Sequence, residues 1–184
     1  MLPWGHAAVG YLLYTAACRN TEGEKRIPEG IAVLALAVGT QFADLVDKPL
    51  AWYLGALPSG RSLAHSLFVA AALLIALDRL ATSTGRRDLS AAFALGYLAH
   101  LAGDAIYGLG GGVERLHFLL WPVIPQTPPE TSHTILEVLI ESTLSPHGLL
   151  ESALFVATTG LWLSHRAPGL WLCLEAVRSI GRAE

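Results

Sequence analysis

Ionisable side chains inside apolar segments are expensive to keep and mark sites by default. The stretch Gly96-Tyr-Leu-Ala-His100-Leu-Ala-Gly-Asp104 sets an imidazole and a carboxylate four residues apart. On a helix they share one face, so both can reach a single metal ion. An earlier apolar stretch ends in Asp44-Leu-Val-Asp47, two carboxylates at helical spacing, and the stretch after it opens with Ser62-Leu-Ala-His65. The first opens with Gly5-His6, and Pro146-His147-Gly-Leu-Leu-Glu151 repeats the spacing of His100 and Asp104. Each has a plain structural reading as well. A lone histidine in an apolar helix is usually a satisfied core residue, Asp44 and Asp47 suit a solvated helix end, and His100 with Asp104 suits a packing hydrogen bond.

The elements that carry these residues are predominantly apolar. Of 184 residues 53% are hydrophobic and only 15% charged, against about 25% charged in an average soluble domain, so much of the surface is expected to meet lipid. The fold expected is all-α, an integral membrane bundle of about four to five spanning helices, in one domain over residues 1–184. A soluble helical bundle with a very apolar core is the alternative. The net charge of −3 without a basic stripe argues against nucleic acid as a partner. Cys18 and Cys173 lie in apolar stretches with no CxxC and read as packing residues. The start Met1-Leu-Pro-Trp-Gly-His lacks the basic region of a signal peptide, so the first apolar segment is read as part of the mature protein.

Helices are expected over residues 4–18, 30–45, 62–81, 88–107, 147–164 and 170–180. Lys48-Pro49 should stop the second, Ser62 should cap the third and Asp88 the fourth. Residues 109–147, broken by glycines and prolines, read as a re-entrant or interfacial insertion with a short amphipathic piece over 133–144. If the helices run up and down, one end of the bundle gathers His6, Asp44, Asp47, His65, His100 and Asp104, together with His147 and Glu151. Only His165 falls at the other end. A common metal site is the simplest account of that gathering.

Gly5-His6, Asp44-x-x-Asp47-x-Pro49, His65-Ser66, Gly96-Tyr-Leu-x-His100-x-x-x-Asp104 and Leu120-Trp121-Pro122 resemble the membrane-bound metal-dependent hydrolase family, which includes LexA-regulated inner-membrane proteins. The likeness covers about residues 5–122. Where that family has Pro-Asp-x-Asp-His, this chain has Ala43-Asp44-Leu-Val-Asp47-Lys48. In order of motifs the chain is also distantly similar to zinc-dependent phospholipase C and the P1-type nucleases. That likeness implies metal ligands at His6, Asp44, His65, His100, Asp104, His117, His147 and Glu151.

These readings imply a hydrolase holding one to three Zn2+ ions, with Mn2+ or Fe2+ as alternatives, that acts on a small phosphoester or lipid-linked substrate. Zinc lowers the pKa of water it binds to about 7. Asp44, His65, His100 and Asp104 would hold the first ion, with His6 sharing a second through Asp104. Asp47 and Asp104 are the candidate catalytic carboxylates, Asp47 as general base or as a partner that orients a histidine. Arg61 is placed to bind an anionic substrate group, or to anchor the chain at the interface. A structural metal without catalysis, hydrolysis of another ester or amide, and an ion or proton pathway remain open. Arg19, Lys25, Arg26, Arg86, Arg87 and Arg166 oppose Lys48, Arg61 and Arg115 across the bundle. The positive-inside rule then sets the protein in the plasma (inner) membrane with the site at the outer face.

Overall fold

Long apolar runs closed by glycine or proline give helices throughout. The computed structural model describes residues 1–18, 30–126 and 135–180, without the side chains of 135–139 and 180. The helices are α1 (Pro3–Ala17), α2 (Gly30–Trp52), α3 (Leu67–Thr84), α4 (Arg87–Leu109), α5 (Ile135–Leu144), α6 (Pro146–Ser164) and α7 (Leu170–Ile180), with a 3-10 helix over Val113–Leu120. No strand occurs among the described residues, and the chain is an all-helical membrane bundle. Arg19, Lys25, Arg26 and the start of the amphipathic piece at His133 lie outside the described residues.

Among the described residues three helices, α2, α3 and α4, are long and apolar enough to cross a bilayer, and the other helices pack beside them. The fifteen residues of α1 fall short of the roughly 20 that a crossing needs. In α3 only 11% of the apolar window is buried within the protein, and Leu67, Phe68, Ile75 and Leu80 point outward. A helix apolar on every side and so little covered belongs against lipid.

The centre is the contact of α2 with α4, and α4 also packs on α1, α3 and the 3-10 helix. Gly39 and Gly96 let the α2 and α4 backbones meet. A methyl group at Gly39 would strike the Phe93 carbonyl oxygen, and one at Gly96 the Leu36 carbonyl oxygen. Small residues at such crossings are the usual means of close packing in membranes, where apolar burial gives helices little reason to associate. Tyr97, fully buried beside Ala43, Ala64 and Leu101, donates its hydroxyl to the Ala64 carbonyl and ties α4 to the segment before α3.

Several boundaries differ from the sequence expectation. Helix α2 continues through Pro49 to Trp52. Proline in the last turn gives up one hydrogen bond, and Leu54 and Ala56 close the end by donating to the Pro49 and Leu50 carbonyls. Ser66, not Ser62, caps α3, accepting from the Phe68 N–H at 3.2 Å. The Ser62 amide is instead drawn to Asp47. Asp88 lies in the first turn of α4, and Arg86 occupies the cap position. Gly85, with φ of 68°, ends α3 in the left-handed conformation that glycine adopts most cheaply.

Overpacking the crossing should be costly. Gly96→Val is expected to destabilise by about 1–3 kcal/mol, read as a lower unfolding midpoint in detergent. Gly160→Ala, where a methyl group meets nothing within 4 Å, should leave the midpoint unchanged or higher. Equal losses in the two variants would contradict the crossing.

Candidate metal centre

The antiparallel run of helices brings the start of α1, the last third of α2, the segment before α3 and the last third of α4 to one end. Asp44 and His100 stand eight and nine residues inside their helix ends, roughly 12 Å at 1.5 Å per residue. His6, Asp47, His65, His100 and Asp104 are at most 1% exposed and Asp44 is 8% exposed, so water cannot solvate this set.

Asp47 is the organiser. Its Oδ2 accepts from the Ser62 amide at 2.8 Å, the His65 amide at 3.2 Å and His65 Nδ1 at 2.8 Å, while Oδ1 accepts from the Ala64 amide at 2.8 Å. A carboxylate with N–H donors on both oxygens folds residues 62–65 around itself and fixes the His65 ring. Of the two roles weighed for it, general base and orienting partner, the 2.8 Å contact to His65 Nδ1 fits the second. His100 is fixed in the same way, its Nδ1 donating to the Thr40 carbonyl at 2.7 Å.

A carbonyl and a carboxylate are acceptors, so the Nδ1 atoms of His100 and His65 carry the protons. With Nδ1 committed, each ring turns only its Nε2 inward, and these atoms lie 3.2 Å apart. Around them stand Asp44 Oδ1, at 3.6 Å from His65 Nε2 and 3.9 Å from His100 Nε2, and Asp104 Oδ2, at 3.5 Å from His65 Nε2. Opposed lone pairs ringed by carboxylate oxygens repel unless a cation or proton sits among them. Burial lowers the His65 pKa, but Asp104 and Asp47 outweigh it and hold the ring above its ordinary value.

His6 stacks on His100 with centroids 3.8 Å apart and places Nε2 3.4 Å from Asp104 Oδ1, without hydrogen-bond geometry. Neither of its buried ring nitrogens has a hydrogen-bond partner. Leaving such a group unsatisfied costs about 1–3 kcal/mol, so a ligand role fits it. Two overlapping sets of convergent donors result, His6 with Asp44 and His100, and His65 with His100 and Asp104.

Cations balance the carboxylates. Lys48 Nζ is 2.5 Å from Asp44 Oδ2. Arg61 Nε is 2.8 Å from Asp104 Oδ2, its side chain 38% exposed and its guanidinium over the Phe118 ring. The Met1 amino group is 2.7 Å from Asp104 Oδ1. Thr40, Lys48 and the backbone of 62–65 were not singled out from sequence. Lys48 follows Asp44 by four residues, a spacing that could have revealed it.

The remaining candidates stand apart from both donor sets. Glu151 is buried at the same end, but its Oε2 accepts the Leu2 amide at 2.6 Å and so holds the entry to α1. His147 is exposed and meets the Tyr107 ring edge-on. His117 is half-buried on the 3-10 helix, outside the convergent donors. Spacing alone does not bring these side chains to a common point. His165 lies at the far end, its Nδ1 2.9 Å from the Tyr11 hydroxyl. Cys18 and Cys173 form no disulfide, and Cys173 is exposed rather than packed.

The family model described as YdjM inner membrane protein matches residues 1–174, and the chain belongs to that family. No curated protein and no solved structure matches the chain.

Asp47→Asn replaces an acceptor by a donor among N–H groups. Each charge-assisted hydrogen bond lost costs about 1.5–3 kcal/mol, so a markedly lower unfolding midpoint is expected. His147→Ala should leave the midpoint within about 0.5 kcal/mol of the native protein. A silent Asp47→Asn would show that the carboxylate does not hold the segment.

Proposed function

We propose that this member of the YdjM inner membrane protein family is a metal-dependent hydrolase acting on a phosphoester or lipid-linked substrate at the outer face of the membrane. The observation that carries the reading is the pair of inward Nε2 atoms of His65 and His100, 3.2 Å apart, whose other nitrogens are committed to Asp47 and Thr40. Metal-ligating histidines are oriented by such partners on the far ring nitrogen. The orphaned ring of His6 supports the same reading.

His65, His100, Asp44 and Asp104 would hold the ion, with His6 at the edge of a second position. Nitrogen with carboxylate oxygen suits Zn2+, with Mn2+ or Fe2+ as alternatives. A divalent ion there supplies Lewis acidity towards water and phosphoryl oxygen. Asp47 and Thr40 aim the imidazoles, and Asp104 lies against both donor sets and Arg61. Arg61, part-exposed beside the cluster, is the group suited to an anionic substrate oxygen.

A pathway for ions or protons would need polar side chains through the full depth of the bundle. Among the described residues the buried acids and histidines, His6, Asp44, Asp47, His65, His100, Asp104 and Glu151, all lie at one end, which favours a site. Arg86, Arg87 and Arg166 at the opposite end, with Arg19, Lys25 and Arg26 between α1 and α2 in sequence, support the outer face by the positive-inside rule.

The test is hydrolysis of phosphodiester and phosphomonoester substrates by zinc-loaded protein in nanodiscs. Metal-dependent turnover, lost in the His100→Ala/Asp104→Ala double variant, is expected. Asp47→Asn should weaken zinc about 10–100-fold. Zinc affinity should fall as pH drops through the raised His65 pKa, because the proton competes for the same nitrogen. Stoichiometric zinc without turnover on either substrate class would contradict the hydrolase and leave a structural metal.

A further inference from the structure

A second concave feature runs down the outside of the bundle from the level of the metal centre. It is a groove of about 290 Å³ between α1, α2 and α6, lined by Ala7, Leu36, Ala37, Thr40, Phe155 and Thr158 among others. That volume is at the low end of ordinary ligand pockets, roughly 300–1,000 Å³. Ala7 follows His6, and Thr40 supplies the carbonyl that orients His100, so the upper end abuts the ligand-bearing backbone. Ala37 and Phe155 are exposed along it, and α2 is one of the membrane-crossing helices, so the groove opens towards lipid.

One feature sets it apart from an ordinary apolar crevice. Thr158 is 6% exposed, and its buried hydroxyl has no hydrogen-bond partner. The neighbouring Thr159, by contrast, donates to the Phe155 carbonyl in its own helix. A bare hydrocarbon would leave Thr158 unsatisfied, at a cost that argues against it. A ligand that is apolar along its length and carries one carbonyl acceptor satisfies both the walls and the hydroxyl. Thr158 lies seven residues along α6 from Glu151 at the site end, about 10 Å at helical rise.

We infer that the groove holds an ester-linked acyl chain of a membrane lipid, with the ester carbonyl on the Thr158 hydroxyl and the head towards the metal centre. Identification of that lipid as substrate rests on the hydrolase reading, whereas occupancy of the groove does not.

The full chain in nanodiscs of phosphatidylethanolamine and phosphatidylglycerol, doped with a phospholipid carrying a diazirine in one acyl chain, tests this directly. After photolysis, label should concentrate on residues 7–11, 33–40 and 155–162 above the level on the exposed face of α3. Ala37→Phe should reduce groove labelling to that level. Val38→Phe, on an exposed position beside it, should not. Ala37→Leu serves if the larger substitution unfolds the protein. Thr158→Val should weaken labelling by the ester-linked probe and spare an ether-linked one. Uniform labelling of groove and α3, or no effect of filling position 37, would overturn the inference. Equal effects of Thr158→Val on both probes would overturn the ester contact. Zinc is measured on every sample. Groove labelling in native protein without zinc would sink the hydrolase reading alone, and zinc without groove labelling would sink the lipid alone.

Discussion

Two imidazole rings with their Nδ1 protons already committed constrain the whole site end. Asp47 holds one and the Thr40 carbonyl the other, and the two inward Nε2 atoms then face each other across 3.2 Å. Turning either ring away gives up a buried hydrogen bond. The local fold follows from keeping them in place. The segment before α3 wraps Asp47 through backbone amides, Tyr97 ties that segment to α4, and the glycine crossing at Gly39 and Gly96 sets Thr40 close enough to reach His100.

Such a cluster is hard to maintain at that depth. Charges inside a bilayer are tolerated where they pair or face the protein interior. Here Lys48 and Arg61 offset Asp44 and Asp104, and the carboxylates turn inward. Pairing a buried charge rarely repays its desolvation in full, so stability alone is a poor reason to gather three histidines and three aspartates at one end. Binding a cation supplies that reason.

Much of this was legible in the sequence because it depends on local spacing and alternation of chain direction. His100 and Asp104 four residues apart had to share a face, and antiparallel helices had to bring His6, Asp44 and His65 to the same end. What was not legible depends on contacts between distant segments. Ser62 has every mark of a helix cap, yet the Asp47 carboxylate takes its amide and the cap passes to Ser66. Pro49 looked like a stop, but a helix in its last turn tolerates one missing donor. Backbone groups such as the Thr40 carbonyl leave no trace in residue type. His117 entered on motif order and His147 on helical spacing and topology, and neither fixes where a side chain ends up.

The most direct test of the central claim is X-ray absorption at the zinc edge of the purified, zinc-supplied protein. The account predicts stoichiometric zinc with nitrogen and oxygen ligands at about 2.0–2.2 Å and an imidazole scattering signature from His65 and His100, lost when both are replaced by alanine. A folded protein that takes up no metal, or one whose zinc carries no imidazole signature, would contradict it.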